Sequence, residues 1–307
     1  MTSPTPIILD CDPGHDDAIA IMLALASPEV ELVGVSTVAG NQTLDKTTNN
    51  ALRVLELLGR SDIPVYVGED KPLVRELHTA PDVHGDSGLD GPDLPQPTTS
   101  AQEEHAVDYL GRALTEDVTL VATGPLTNVA LMLERYPDAR PKRVVLMGGS
   151  IGEGNTTPAA EFNIYVDPEA AQRVFESGLD VTMIGLDVTH RALITDEHRE
   201  RLRAAGKVGK VAAELLDFYA RFHKHRYPDL DGAPLHDPVC IALLVNPGLV
   251  ETKDAYIEVD LGEQGRGRTN VDWRGRRTSG PNNAKVGVDI DGDAFAELII
   301  ERIGSLG

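Results

Sequence analysis

The stretch Ile7-Ile8-Leu9-Asp10-Cys11-Asp12-Pro13-Gly14-His15-Asp16-Asp17 decides how this chain folds. Three large apolar residues in a row, with no polar alternate, predict a strand covered on both faces. Pro13 and Gly14 then break the extended run, and a helical pattern occupies residues 16–26. Strand, tight turn and helix in that order open a parallel β-α-β unit.

The same rhythm continues downstream. Strands are expected at 30–38, 65–67, 118–122, 143–147 and 181–186, with helices at 44–58, 101–114, 126–134 and 168–177 between them. After residue 186 the alternation gives way to helices near 196–205, 208–227 and 238–244. Strand-like runs at 256–260, 267–272 and 285–289 follow, then a last helix at 292–303. The expectation is an α/β protein: a mostly parallel central sheet, helices on both faces, and a small antiparallel C-terminal addition. No internal repeat or composition shift divides the chain, so residues 1–307 are read as a single domain. Residues 81–100, rich in Gly, Pro and Asp, form the longest expected loop, a length uncommon unless it serves a site.

Four carboxylates, Asp10, Asp12, Asp16 and Asp17, crowd the carboxyl end of the first strand. Ligands bind at that end in open α/β sheets. Like charges so close raise one another's pKa unless a cation neutralises them, and an all-oxygen set favours Ca²⁺ or Mg²⁺ over zinc. Asp16 and Asp17 also suit a helix N-terminus on electrostatic grounds alone, and Asp10 could cap a turn. Counted from Asp12, the twelfth position is Leu23, which excludes an EF-hand. No P-loop or dinucleotide fingerprint is present. A strand ending in Asp-x-Asp also opens Asp-nucleophile phosphohydrolases, but Gly14 stands where that class usually carries Thr or Val.

Composition narrows the partners. With 28 Lys+Arg against 49 Asp+Glu, the net charge of −21 repels phosphate backbones and anionic lipids, so neither nucleic acid nor membrane is an expected partner. The two cysteines, Cys11 and Cys240, show no disulfide spacing, and the first residues carry neither a signal peptide nor an anchor, so a cytoplasmic protein is expected.

Further segments then recur in order: Val38-Ala39-Gly40-Asn41-Gln42-Thr43, His84-Gly85-Asp86-Ser87-Gly88-Leu89-Asp90-Gly91, Gly124-Pro125-Leu126-Thr127-Asn128, Leu146-Met147-Gly148-Gly149, Glu161-Phe162-Asn163 and His236-Asp237-Pro238. With the opening motif, they closely resemble the inosine/uridine-preferring nucleoside hydrolases over nearly the whole chain. That resemblance implies a Rossmann-like core and Ca²⁺-dependent hydrolysis of a ribonucleoside to ribose and free base, usually by a homodimer or homotetramer. It implies Ca²⁺ held by Asp12, Asp17, the Thr127 backbone carbonyl and Asp237, with Asp12 as general base toward a calcium-bound water. Asp16, Asn41, Asn155, Glu161, Asn163 and Asp237 would hold ribose hydroxyls, with Met147 beneath the sugar and Asp10 in a supporting place.

The chemistry suits these residue types. N-riboside cleavage passes through a positively charged, oxocarbenium-like sugar, which an anionic pocket stabilises more than it does the neutral substrate. His236 is the candidate acid for the leaving base, and His84 on the long loop is expected to help close the site. His15 falls at a variable motif position and receives no role. A phosphohydrolase, or a nucleoside-binding protein without turnover, are the rival readings.

Other features read as ordinary or stay open. Arg266, Arg268, Arg274, Arg276 and Arg277 around Trp273 are read as a solvated hairpin. His223 and His225, with Tyr219 and Tyr227, belong either to a surface helix or to the border of the base pocket. Cys11 and Cys240 are expected to be packing thiols.

Overall fold

The computed structural model describes residues 3–276 and 281–307. Eleven strands appear among them: β1 Thr5–Cys11, β2 Val30–Thr37, β3 Val65–Val67, β4 Thr119–Ala122, β5 Arg143–Met147, β6 Val181–Ile184, β7 Leu193–Ile194, β8 Ala233–Pro234, β9 Val250–Val259, β10 Thr269–Asp272 and β11 Ala284–Ile290. The helices are α1 His15–Ala26, α2 Leu44–Leu57, α3 Pro81–His84, α4 Ala106–Ala113, α5 Thr127–Arg135, α6 Phe162–Val166, α7 Pro168–Glu176, α8 Leu186–Thr189, α9 Asp196–Arg203, α10 Lys207–Arg226, α11 Pro238–Val245 and α12 Gly292–Gly304.

Nine strands form one sheet in the order β10-β9-β11-β6-β5-β4-β1-β2-β3. From β3 through β11 every pairing is parallel; β9 and β10 continue the far edge in antiparallel register. The expected antiparallel addition is therefore an extension of the central sheet. Alternation splits β1 between two cores. Ile7 and Leu9 pack beneath α1, α2, α10, α11 and α12, whereas Ile8 joins the core under α4, α5 and α7. Helix α1 is buried from His15 through Ala24, as its apolar composition on all sides demands.

From β1 the chain runs outward to β2 and β3, then returns to β4 on the other side of β1. The crevice between the carboxyl ends of β1 and β4 is thus the topological switch point, where such sheets bind ligands.

Several boundaries differ from the sequence reading. The strand expected through 186 stops at Ile184, because Gly185 starts the single helical turn of α8. Helix α4 starts only at Ala106, where the His105 ring caps the Val107 N–H; residue 102 instead bridges Tyr66. Strand β9 starts at Val250, six residues before the expected position; the exposed charges Glu251, Lys253 and Asp254 hide its start in the sequence. The 81–100 segment is a loop after its first helical turn, α3.

Candidate active site

The floor of the crevice is acidic. Asp16 and Asp17 occupy the first turn of α1, and Asp237 directly precedes α11. One carboxylate oxygen of each lies within 4.8 Å of the other two. Oxygens sharing one ion at about 2.4 Å stand at most about 4.8 Å apart, so the three could share one divalent cation. The positive ends of two helix dipoles point at the same place.

Asp12 lies in the same buried floor. Its Oδ2 accepts the Asn41 N–H at 2.6 Å, and its buried Oδ1 has no hydrogen-bond partner among the described residues. Gly40 and Gly124 close over the carboxylate: a Cβ on either would stand 2.1 or 2.8 Å from an Asp12 oxygen. Asp17 is held by Thr123 Oγ1 on Oδ1 at 2.9 Å, and by the Gly14 N–H and Asn41 Nδ2 on Oδ2 at 3.0 and 3.1 Å. Burial first, and then the neighbouring carboxylates, push Asp12 and Asp237 well above the usual carboxylate range and Asp16 up to about 7; burial also raises Asp17. A divalent cation among them would offset both causes, by pairing the buried charges and screening them from one another. Hard oxygen donors and the orphaned Asp12 Oδ1 make the residues present a fit for such an ion.

Asp10 sits apart from this group. Its Oδ1 accepts Ser36 Oγ at 2.6 Å and Asn128 Nδ2 at 2.8 Å, which ties β1 to β2 and α5. Thr127 opens α5 at the same end of the sheet, and its hydroxyl donates to Asp167 at 2.7 Å.

Above the floor is a cavity of about 550 Å³, bordered by Asp16, Asn41, Met147, Asn155, Glu161, Asn163 and Asp237. Glu161 caps α6 and accepts the Asn163 and Gly149 N–H groups at 2.9 and 3.0 Å; burial raises it to about 7. Asn163 Nδ2 donates to the carbonyls of Thr123 and Met147 at 2.7 and 3.1 Å, which leaves Oδ1 for a ligand. Asn155 Oδ1 is engaged by the Phe162 N–H at 2.9 Å.

The opposite end is aromatic and imidazole-rich. Tyr219, Phe222, His223, Arg226 and Tyr227 border the cavity at helical spacing, so this face of α10 is a wall of the site. His225 points the other way and is exposed. His84 and His236 complete the wall, with His236 Nδ1 2.7 Å from Thr189 Oγ1. Burial pushes His84 and His236 well below the usual imidazole range and His223 to about 4, so all three are neutral near pH 7.

The structure thus gathers nearly every candidate residue into one place, and it brings Asp16 into the close group with Asp17 and Asp237. Sequence reasoning missed Thr123, Thr189 and the burial of His15. Thr123 was readable as the residue directly after the strand expected at 118–122; Thr189 supports His236 only through tertiary contact. In the basic run, Arg266 lies over Tyr165 at 4.2 Å and Arg274 over Trp273 at 5.3 Å, while Arg277 falls outside the described residues. Cys11 and Cys240 are free and buried.

Comparison with known proteins agrees with this geometry. Residues 7–297 match the family described as inosine-uridine preferring nucleoside hydrolase. The pyrimidine-specific ribonucleoside hydrolase RihA of Citrobacter koseri is 53% identical over 305 residues, covering 97% of this chain and 97% of that protein. RihA of Enterobacter sp. is 54% identical over the same shares. Among solved structures, the purine-preferring ribonucleoside hydrolase from Gardnerella vaginalis is similar with a TM-score of 0.93 at 36% identity, covering 98% of each chain. The plant nucleoside hydrolase PpNRh1 gives 0.93 at 34%, covering 98% of this chain and 99% of that one. An acidic floor at the switch point, a cavity with one polar and one aromatic end, and a family match across almost the full length place this chain in the inosine-uridine preferring nucleoside hydrolases, enzymes that cleave ribonucleoside N-glycosidic bonds.

Proposed function

We propose that this enzyme is a Ca²⁺-dependent hydrolase that prefers pyrimidine ribonucleosides. The observation that carries the metal requirement is the set of buried carboxylates Asp12, Asp16, Asp17 and Asp237 beneath the cavity. The pyrimidine preference rests on the RihA relatives, which are closer in sequence than the purine-preferring structure.

Asp12, Asp17, the Thr127 carbonyl and Asp237 would hold the ion. Bound there, Ca²⁺ supplies a Lewis acid that lowers the pKa of water and grips vicinal ribose hydroxyls. Asp12 is the general base: its Oδ1 is the unpartnered oxygen, while the Asn41 N–H holds the other oxygen. Asp16, Asn41, Asn155, Glu161, Asn163 and Asp237 orient the ribose, and Met147 packs beneath it. As the bond breaks, positive charge grows on the sugar, where the anionic floor stabilises it. His236 and His84 hydrogen-bond the departing base, and Tyr219 and Tyr227 border it.

The phosphohydrolase alternative requires Asp10 as nucleophile. Ser36 and Asn128 take Asp10 Oδ1 in ties to β2 and α5, which supports a structural place for Asp10. Two free cysteines support a reducing, cytoplasmic setting, no described helix is long and apolar enough to cross a membrane, and the family resemblance supports a homodimer or homotetramer.

The test is release of free base from uridine, cytidine, inosine and adenosine, with added Ca²⁺ and after chelation. Uridine and cytidine should have the highest kcat/KM, and chelation should abolish turnover. Full activity after chelation would remove the metal from the reading, and a preference for inosine would reverse the substrate assignment.

A further inference from the structure

Thr123 is buried and directly follows β4, the strand paired with β1 at the switch point. Its backbone is held at both ends. The N–H donates to the Asp10 carbonyl at 2.8 Å, and the carbonyl accepts Asn163 Nδ2 at 2.7 Å. The side chain serves a different partner: its hydroxyl donates to Asp17 Oδ1 at 2.9 Å. A β-branched side chain on a fixed backbone has few rotamers open to it, so this donor is aimed in advance.

The second Asp17 oxygen is held in another way. Oδ2 accepts the Gly14 N–H at 3.0 Å and Asn41 Nδ2 at 3.1 Å. Gly14 is the residue before α1, so its bond belongs to the local start of that helix. The Thr123 bond instead reaches α1 from the end of β4, across 106 positions of chain. With donors on both oxygens, turning the carboxylate about its Cβ–Cγ bond forfeits at least one of them.

That orientation matters because an Asp17 oxygen shares a close group with oxygens of Asp16 and Asp237. Carboxylates so near repel one another when no cation lies between them, and an untethered one turns away. The same turn also shapes Asp12, since a Cβ on Gly124 would stand 2.8 Å from Asp12 Oδ1. Residues 123 and 124 thus serve two carboxylates, one with a hydroxyl and the other with the lack of a side chain.

We propose that Thr123 is a positioning residue for the divalent cation, its hydroxyl holding the Asp17 carboxylate in the orientation that ligates. The inference rests on the reading that Asp17 is a ligand. Partners behind a metal ligand set its direction, and losing one costs about 10- to 100-fold in metal affinity or activity.

The test is calorimetric titration of Ca²⁺ into metal-stripped protein. Thr123→Val keeps the shape and loses the hydroxyl, and Thr123→Ala loses it without setting a methyl group against the carboxylate. Each should weaken Ca²⁺ binding about tenfold, while Thr123→Ser should stay within about threefold of the parent. Asp17→Ala, which removes the ligand itself, should weaken binding further, and adding Thr123→Val to it should change the affinity by less than about twofold. In uridine assays the Ca²⁺ needed for half-maximal rate should rise with the Kd, and excess Ca²⁺ should recover most of kcat in Thr123→Val, because the backbone carbonyl that holds Asn163 remains. An unchanged affinity in Thr123→Val or Thr123→Ala, a Thr123→Ser as weak as Thr123→Val, or a rate deficit that excess Ca²⁺ does not recover would overturn the proposal. Parent-like affinity in Asp17→Ala would remove Asp17 from the ligand set and the proposal with it, whereas weakened binding in Asp17→Ala beside unchanged Thr123 variants would overturn the role of Thr123 alone.

Discussion

The two ends of the cavity are built in opposite ways. The floor collects Asp12, Asp16 and Asp17 from six consecutive residues at one strand end, with Asp237 added from α11. The wall collects His84, the Tyr219 to Tyr227 face of α10, and His236 from three separate elements. The floor is rich in buried negative charge, whereas the wall holds neutral rings. Charge at one end and hydrogen-bonding, polarisable surface at the other match a reaction that makes a cationic sugar and releases a planar base. The difference teaches that the floor governs whether the bond breaks, while the wall governs how well the base leaves.

The largest expected effect lies in the floor. Asp12→Asn should lower kcat by about a thousandfold while nucleoside binding persists, because the amide keeps the shape and cannot take a proton. Stopped assays for turnover and calorimetry for binding would check this. A loss of only a few-fold would break the assignment of the floor to the chemical step.

The wall should be more forgiving. His236→Ala is expected to cost about a hundredfold in kcat, and Thr189→Val, which removes the hydroxyl 2.7 Å from His236 Nδ1, about five- to tenfold. Equal losses in the two variants would show that the orientation of His236 is its whole contribution; no loss in Thr189→Val would show that Thr189 does not orient it.

A third measurement sharpens the comparison through stability. Asp16 and Glu161 rise from ordinary values of 3.8 and 4.5 to about 7 in the folded protein, chiefly through burial. The folded state therefore binds more protons than the unfolded chain. Their contribution is fully present below about pH 4 and is lost as pH rises through about 7. Chelated protein should show a falling Tm between about pH 5 and about pH 8, and added Ca²⁺ should restore more at the upper end. A Tm rising over that interval would contradict the buried, uncompensated floor.

Much of this was legible in the chain. Unbroken apolar runs at Ile7 to Leu9 and at Val144 to Leu146 require two covered faces, which leads directly to a parallel sheet with helices on both sides. The Asp12 to Asp17 motif is local, and local motifs survive in a linear reading. The start of β9 at Val250 was hidden by its exposed charges, and the single turns α3, α6 and α8 are too short to show a period. The choice between His223 and His225 could not be made from periodicity, because it depends on which face of α10 turns toward β1.

The sequence by itself determined the layered α/β architecture and the acidic strand end, which follow from apolar patterning and short-range spacing, and it pointed to the family through the resemblance of its motifs. Tertiary structure alone decided that Asp237 closes on Asp16 and Asp17, 220 positions after Asp17 in the chain, and that Thr189 supports His236. The physical reason is the same in each case. A covalent motif fixes neighbours within one turn or strand, but contacts between elements exist only once the two cores have packed and brought their ends to a common crevice.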